Sequence, residues 1–212
     1  MKINGDNNFV DIYPLHQEVQ VNGSGNYGKM EAIKFHFAKI MEALGLDLND
    51  PSLHKTPERV AKMYVNEIFR GLEPDHFPDI SFFENTNGYK GMLLVDDISV
   101  YSVCEHHFVP FFGKAAVAYI PKNRVIGLSK INRIVQFMAS KPQIQERLTM
   151  EVGEKFKKLL NTEDIAIYIK ASHLCVASRG VKDPNSHTTT TYFNGKFSKE
   201  KMKNRFLGAI QK

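Results

Sequence analysis

The sequence predicts an α+β fold in which helices come first and an antiparallel sheet with two inserted helices follows. Apolar residues recur at helical spacing in the first third of the chain. Extended, β-branched segments then dominate, and two stretches of helical period interrupt them. The predicted strands are residues 92–103, 114–120, 165–171 and 188–193, and the inserted helices run from Ser129 to about Ala139 and from Ile144 to about Leu160.

The N-terminal part of the chain has two kinds of sequence. Residues 1–28 are polar and punctuated by glycine-containing turns, so we expect a flexible extension. Residues 29–90 form a predicted helical region with two helices, and residues 91–212 form the main domain. The first helix begins at Met30 and has Gly45 at its C-terminal cap. The second runs to Gly71 and begins at the segment Thr56-Pro57-Glu58, which supplies an N-cap, a proline at the first helical position and a carboxylate for the dipole. The apolar stripes are Ile33, Phe37, Ile40 and Leu44 in the first helix, and Val60, Met63 or Tyr64, and Ile68 in the second.

Predicted helix starts and one predicted strand in the later part of the chain contain residues with reactive side chains. Ser129 is the predicted cap of the first inserted helix, and Ser198 of a final helix. Apolar residues alternate along 165–171, as in a strand. If that strand continues, His173 and Cys175 fall on its apolar face.

Composition argues against a membrane-spanning chain and leaves the class of partner open. The 212 residues carry a net charge of +5 with a pI of about 9.1, and no run of about eighteen apolar residues occurs. This charge fits a polyanionic ligand such as a triphosphate, or nucleic acid, or no special partner. No basic tract or aromatic RNA-binding motif supports nucleic acid. The N-terminus lacks an apolar signal segment, which predicts a reducing cytoplasm.

Both cysteines stand beside histidines, in the segments 104–107 and 173–175. Cys104 and His107 are three residues apart, so one tight turn can direct a sulfur and an imidazole at one ion, and Cys175 can complete a Cys2His set. Structural zinc sites usually have four protein ligands, whereas catalytic sites have three and leave a position for water. Because His106 and His173 are spare beside the set, the pattern favours metal-activated water with acid–base partners. A disulfide and a pair of inert buried thiols are the alternatives that spacing leaves open.

A second group of residues suits a phosphate. The segment 127–133 stands at a predicted helix start, where free N–H groups and the helix dipole favour an anion. Ser129 can donate a hydroxyl, Lys130 and Arg133 add charge, and Arg179 could reach the same place. An ordinary N-cap with a solvated basic face is the alternative, and for Arg179 a surface loop.

Gln145 and Glu146 form a third element. A carboxylate can accept from the N1–H and 2-amino groups of guanine together, which makes Glu146 a sensible guanine reader. Complementation of the helix dipole in a first turn is the alternative.

In this order, the segments resemble the GTP cyclohydrolase I family. The resemblance runs from about Thr56 to the C-terminus and rests on separated motifs in family order. These motifs are Thr56–Met63, Cys104–Phe108, Val125–Arg133, Gln145–Thr149, His173–Cys175 with Arg179-Gly180, and the Thr188–Thr191 run.

The resemblance implies a tunnelling fold, with residues 91–212 as its catalytic domain. Each subunit of such a fold gives a short antiparallel sheet and a helical layer, and subunits join into rings. Two five-fold rings would stack into a homodecamer with active sites between subunits. A small sheet with one covered face needs partners at its edges, and rings supply them.

The implied reaction converts GTP and water to formate and 7,8-dihydroneopterin triphosphate. Cys104, His107 and Cys175 would hold Zn²⁺, which lowers the pKa of water for attack at C8 of the purine. His106 would be the general acid–base group, and His173 would assist later proton transfers. Gln145 and Glu146 are the implied contacts with guanine. The implied contacts with the rest of the nucleotide are Leu128, Ser129, Lys130, Arg133 and Arg179, together with Arg59 and Lys62 of a neighbouring subunit. Ser129 is also an implied catalytic residue.

Two other functions stay open. One is a tunnelling-fold enzyme that acts on a pterin or deazapurine without opening the GTP ring, which metal content and formate release would distinguish. The other is a zinc-stabilised, non-enzymatic binding module, which would need a fourth protein ligand.

Overall fold

The computed structural model describes residues 25–211, and the chain divides into two compact units, Met1–Lys62 and Met63–Lys212. The sequence places a boundary near residue 90 instead. In the structure, the Gly71 N–H donates to the Ser140 carbonyl at 2.7 Å, and residues 82–84 pair with residues 124–126. Residues 63–90 therefore pack with the sheet. Across residues 25–211, no helix combines the length and apolar character needed to cross a membrane.

The first unit contains helix α1 (Gly25–Ala43) and all of helix α2 (Thr56–Met63) except its last residue. Helix α1 begins earlier than predicted and includes the last residues of the proposed flexible extension, most of which lies outside the described residues. The N–H groups of Gly45 and Leu46 donate back into the last turn at 2.9 and 3.1 Å, and Gly45 has a φ of 79°. This is the predicted glycine cap, in the form of a Schellman motif.

The C-terminal end of the predicted apolar stripe of α1 is exposed. Ile40 is 52% exposed and Leu44 is 72% exposed, whereas Met41 is buried. Helical spacing identifies residues that share a face, but it does not show whether another element covers that face.

The second predicted helix starts at Thr56 but changes form before Gly71. Pro57 lies in its first turn, as predicted, and α2 ends at Met63. The chain then passes through a π turn at Tyr64–Ile68 and a 3₁₀ turn at Arg70–Leu72. The wider π turn shifts the helical phase, so Val65 is the buried residue in this stretch.

Seven strands form the framework of the second unit. They are β1 (Phe82–Glu84), β2 (Leu93–Cys104), β3 (Pro110–Tyr119), β4 (Arg124–Ile126), β5 (Pro142–Gln143), β6 (Ile165–His173) and β7 (Thr188–Phe193). A five-stranded sheet has the order β5–β2–β3–β6–β7, and β1 pairs with β4. All pairs are antiparallel except β2 with β5. The sequence predicts the four long strands but misses β1, β4 and β5, which are too short to show alternation.

Four helices complete this unit. They are α3 (Leu128–Ala139), α4 (Gln145–Leu160), α5 (Leu174–Ala177) and α6 (Glu200–Ile210). Neither predicted serine is an N-cap, because the N-cap positions are Gly127 for α3 and Lys199 for α6. Ser198 instead ends a short 3₁₀ turn and donates to the Phe193 carbonyl at 3.3 Å.

The central part of β3 is buried on both faces of the sheet. Side chains of β3 alternate, so Val117 and Tyr119 join the cluster formed with α3 and α4, while Ala116 and Ala118 join the cluster formed with α6. Ile134 and Val152 pack in the first cluster and are fully buried. The packed middle of the sheet is thus a platform for the residues at its ends.

Three chain segments meet at one end of this platform. Strand β2 ends at Cys104, whose pairing partner is Gln143 of β5. Strand β6 ends at His173, opposite Phe111 of β3. The predicted continuation of β6 to Cys175 is wrong, because the chain turns into α5 there and carries the thiol on a helix.

Candidate active site

A tight turn between β2 and β3 presents the first predicted metal ligands. The Cys104 N–H donates to the Val109 carbonyl at 2.9 Å, and the Cys104 carbonyl accepts from Phe108 at 2.8 Å and from His107 at 3.3 Å. Phe108 has a φ of 53°, which closes the turn. Cys104 is buried and His107 is exposed, so the turn directs one ligand from the core and one from the surface.

Cys175 joins this pair from α5. The ligand atoms of Cys104, His107 and Cys175 all lie within 4.8 Å of one another, and both cysteines are free thiols. The structure therefore brings together the three predicted ligands and contains no disulfide between them. In the part of the chain that the structure describes, no other set of His, Cys, Asp or Glu side chains converges in this way, and no fourth member joins this one.

The geometry of the three side chains fits one metal ion. Tetrahedral zinc with Zn–S near 2.3 Å and Zn–N near 2.0 Å needs sulfur–nitrogen separations of about 3.6 Å. Cys104 Sγ and His107 Nδ1 are 3.8 Å apart. Burial raises the pKa of the Cys175 thiol, and the adjacent Cys104 thiol raises it further; a divalent cation held between the two sulfurs would favour the thiolates instead.

His106 lies beside this set without joining it. Its side chain is 64% exposed, and its Nε2 is 4.0 Å from a carboxylate oxygen of Glu105. Its Nδ1 is 3.9 Å from Cys104 Sγ. The turn therefore leaves one imidazole facing solvent next to the candidate metal position.

Glu105 anchors the turn to helix α4. Its N–H donates to the Gln143 carbonyl at 3.1 Å, and its carboxylate forms an ion pair with Arg147. Arg147 Nε also donates to Gln143 Oε1 at 2.9 Å. The hydrogen bond from Arg147, against the opposing effect of burial, holds the pKa of the Glu105 carboxyl below its usual range.

His173 is half-buried two residues before Cys175, the last member of the triad formed by Cys104, His107 and Cys175. Its ring stacks on Phe111, with centroids 4.6 Å apart, and its Nε2 lies 2.8 Å from Gln145 Oε1. Burial lowers the pKa of His173, against the opposing effect of the nearby Glu146 carboxylate. Gln145 is buried and hydrogen-bonded inside the protein, and its contact with guanine stays a prediction.

The predicted nucleotide contacts occupy two helix starts. Glu146 is exposed in the first turn of α4, and Leu128, Ser129 and Arg133 are exposed at the start of α3, where Lys130 is partly buried. Within residues 25–211, neither Lys130 nor Arg133 forms an ion pair. Arg179 Nη1 lies 3.2 Å from His107 Nε2, so this guanidinium stands beside the triad.

Two predicted contacts belong to the first unit. Arg59 is exposed on α2. Lys62 is occupied by Glu58 of the same helix, 2.5 Å away. Their role as contacts supplied to a neighbouring subunit stays a prediction.

Known proteins share this sequence pattern over most of the chain. A family model described as GTP cyclohydrolase I matches residues 33–211. The chain belongs to the GTP cyclohydrolase I family. GTP cyclohydrolase 1 of Actinobacillus pleuropneumoniae serotype 5b (strain L20) is 53% identical over 181 residues, covering 85% of this chain and 83% of the relative. GTP cyclohydrolase 1 of Aeromonas salmonicida (strain A449) is 51% identical over 198 residues, covering 93% of this chain and 91% of the relative. GTP cyclohydrolase 1 of Flavobacterium johnsoniae is 52% identical over 183 residues, covering 86% of this chain and 82% of the relative.

Membership of the GTP cyclohydrolase I family confirms the resemblance drawn from the motifs. The family match begins at residue 33, so it extends the resemblance toward the N-terminus from Thr56. The residues that sequence reasoning missed are Arg147 and Gln143, which hold the turn at Glu105. Arg147 lies inside the motif Gln145–Thr149, but a role for it becomes visible only when its partner, 42 positions earlier in the chain, is known.

Proposed function

We propose that this protein is a zinc-dependent GTP cyclohydrolase I, which converts GTP and water to formate and 7,8-dihydroneopterin triphosphate. The convergence of Cys104, His107 and Cys175 within 4.8 Å, in a chain of this family, carries the proposal. These three residues would hold Zn²⁺. When bound, the ion supplies the Lewis acidity that makes water reactive toward C8 of the purine at neutral pH.

The histidines outside the ligand set would move protons. His106 is exposed beside the triad, so its imidazole can exchange protons with the nitrogens of the five-membered ring of the substrate as C8 leaves as formate. His173 would serve the later steps, in which the opened ring and the ribose rearrange. An imidazole suits both directions of transfer because its unperturbed pKa is near 6.5.

The two helix starts would bind the nucleotide. Glu146 is exposed and acidic, which fits the paired donors of the guanine edge. The start of α3 offers N–H groups with the charges of Lys130 and Arg133 for the triphosphate. Ser129 and Leu128 in the same turn would contact the ribose and phosphates, and Arg179 beside His107 would add a further positive charge.

The sheet edges support assembly into rings. Within the described residues, β7 pairs only with β6, and β2 pairs with β5 only at Val103 and Cys104. Two open edges on one sheet suit closure by further copies of the chain, as in a tunnelling-fold homodecamer. Arg59 and Lys62 of one subunit would then complete the site of its neighbour. Two free thiols at the site also suit a reducing cytoplasm.

Incubation of zinc-loaded protein with GTP tests the proposal. We expect formate, and a fluorescent pterin after oxidation, from the unmutated chain, and neither product from Cys175→Ser, which lacks one ligand. Zinc-loaded, assembled protein that consumes GTP without formate would indicate a different tunnelling-fold enzyme. No consumption of any nucleotide would indicate a binding module.

A further inference from the structure

The side chain of Gln145, the first residue of α4, is committed to the protein interior. The residue is 1% exposed, and its Nε2 lies 3.0 Å from each of three acceptors, the carbonyls of Ile169 and Thr188 and Thr190 Oγ1. A main-chain carbonyl can only accept, so the amide nitrogen and not the oxygen must face β6 and β7. Its two N–H bonds already serve three acceptors, and its Oε1 faces His173 Nε2 at 2.8 Å, so both ends of the amide are engaged inside the protein.

The same geometry decides which nitrogen of His173 carries a proton. Gln145 Oε1 lies 2.8 Å from His173 Nε2. An amide oxygen only accepts, so Nε2 must donate, and in the neutral ring Nδ1 is then the accepting nitrogen. Phe111 stacks on the ring at an interplanar angle of 13°, which holds its plane.

A closed circuit of hydrogen bonds holds Gln145 in this orientation. Thr149 Oγ1 donates to the main-chain carbonyl of Gln145 at 2.8 Å. Its only proton is used there, so it accepts from Thr190 Oγ1, 2.6 Å away. Thr190 Oγ1 in turn accepts from the Gln145 amide. Hydrogen bonds in such a chain polarise one another, so the amide resists rotation.

We infer that Gln145 is a positioning residue, which fixes the proton of His173 on Nε2 and leaves Nδ1 to exchange protons with the substrate, while Glu146 reads the guanine edge without it. The inference rests on the proposed function, in which His173 moves protons. Consecutive helical residues point about 100° apart, and here Gln145 is buried while Glu146 is exposed. Gln145 therefore positions His173, and the adjacent Glu146 contacts guanine.

Gln145→Met tests the inference, because methionine keeps the length of the side chain without the amide. We expect kcat to fall about 10–100-fold, the usual scale for loss of a group that orients another, with the KM for GTP nearly unchanged. In a His173→Ala background the same substitution should cost nothing further, because the imidazole to be positioned is gone. Glu146→Gln is the matched control: it should raise KM, and its effect should add to that of His173→Ala.

A readout without turnover separates this inference from the proposed function. In ¹⁵N-histidine-labelled protein, the His173 signals, assigned by their loss in His173→Ala, should report the neutral Nε2–H form. Gln145→Met should give a mixture of both neutral forms. If that variant fails to assemble, Thr190→Val, which opens the circuit but keeps Oε1, should give a smaller kcat loss at constant KM. An unchanged His173 form in Gln145→Met, or a raised KM with effects additive to His173→Ala, would overturn the inference and restore a direct guanine contact.

Discussion

His106 and His107 are adjacent and chemically alike, yet they should fail in different ways when replaced. Distance to Cys104 alone does not separate them, because their Nδ1 atoms lie 3.9 and 3.8 Å from its sulfur. Cys175 separates them, because among the described residues His107, and not His106, joins Cys104 and Cys175 in the set whose ligand atoms lie within 4.8 Å of one another. We therefore propose His107 as the ligand and His106, whose side chain is 64% exposed, as the imidazole that faces the substrate.

The magnitudes follow from that placement. His107→Ala leaves two thiols for the ion, so zinc and turnover should be lost together. His106→Ala keeps all three ligands, so zinc should stay at the level of the unmutated protein. Turnover should nevertheless fall by about 10²-fold or more, the scale of a lost general acid–base group, which corresponds to about 2.7 kcal/mol of transition-state stabilisation.

The assay pairs zinc content with formate release on dialysed protein of verified assembly. His76→Ala is the control, since His76 is an exposed histidine in a 3₁₀ turn and should change neither quantity. Zinc loss from His106→Ala with retention in His107→Ala would exchange the two roles. Equal zinc loss from both would indicate four ligands and refute the hydrolytic mechanism.

Three further predictions concern zinc binding, the recognition of guanine and the dependence of stability on pH. Cys104→Ala should abolish zinc binding and activity while sedimentation shows the assembly unchanged, because the core does not depend on the ion; unfolding on zinc loss would mean a structural site. Glu146→Gln should weaken GTP use by about 1–3 kcal/mol in kcat/KM, and equal turnover of ATP and GTP by the unmutated protein would remove the reason for this assignment. Burial raises the pKa of Glu151, but hydrogen bonds from Lys141 and Gln143 outweigh the effect of burial and lower this pKa overall. The ionised Glu151 carboxylate therefore stabilises the folded protein above the unfolded carboxyl pKa of about 4.3, and this stabilisation is lost as pH falls through the folded pKa. The melting temperature of Glu151→Gln should therefore lie below that of the unmutated protein at pH 7 and approach it below about pH 4, and a constant difference would contradict this reasoning.

Local sequence patterns predict much of the fold and the turn that contains Cys104 and His107. The spacing of Cys104 and His107 is enough to predict that both side chains can face one point, because three residues fit within one turn and the turn's own hydrogen bonds set the geometry. The long strands and α4 show clear periods, and their buried faces follow from those periods. The glycine cap at Gly45 was equally visible, since only a residue tolerant of positive φ suits that position.

Contacts between distant parts of the chain were not predictable from local patterns. The hydrogen bonds of Gln145 to acceptors on two strands, 24 and 43 positions later in the chain, cannot be read from the Gln145-Glu146 pair itself. The ion pair between Glu105 and Arg147 likewise needs the sheet to bring a turn and a helix together. The continuation of β6 to Cys175 failed because period-two alternation indicates a face but not the residue at which the strand stops.

Reversible removal of zinc is the most direct test of metal-dependent opening of GTP at this site. The zinc-loaded protein should release formate and pterin in equal amounts. A chelator should abolish both products without changing the assembly, and added zinc should restore them. Stripped protein that keeps full turnover, or reloaded protein that binds zinc at Cys104, His107 and Cys175 and releases no formate, would contradict the account.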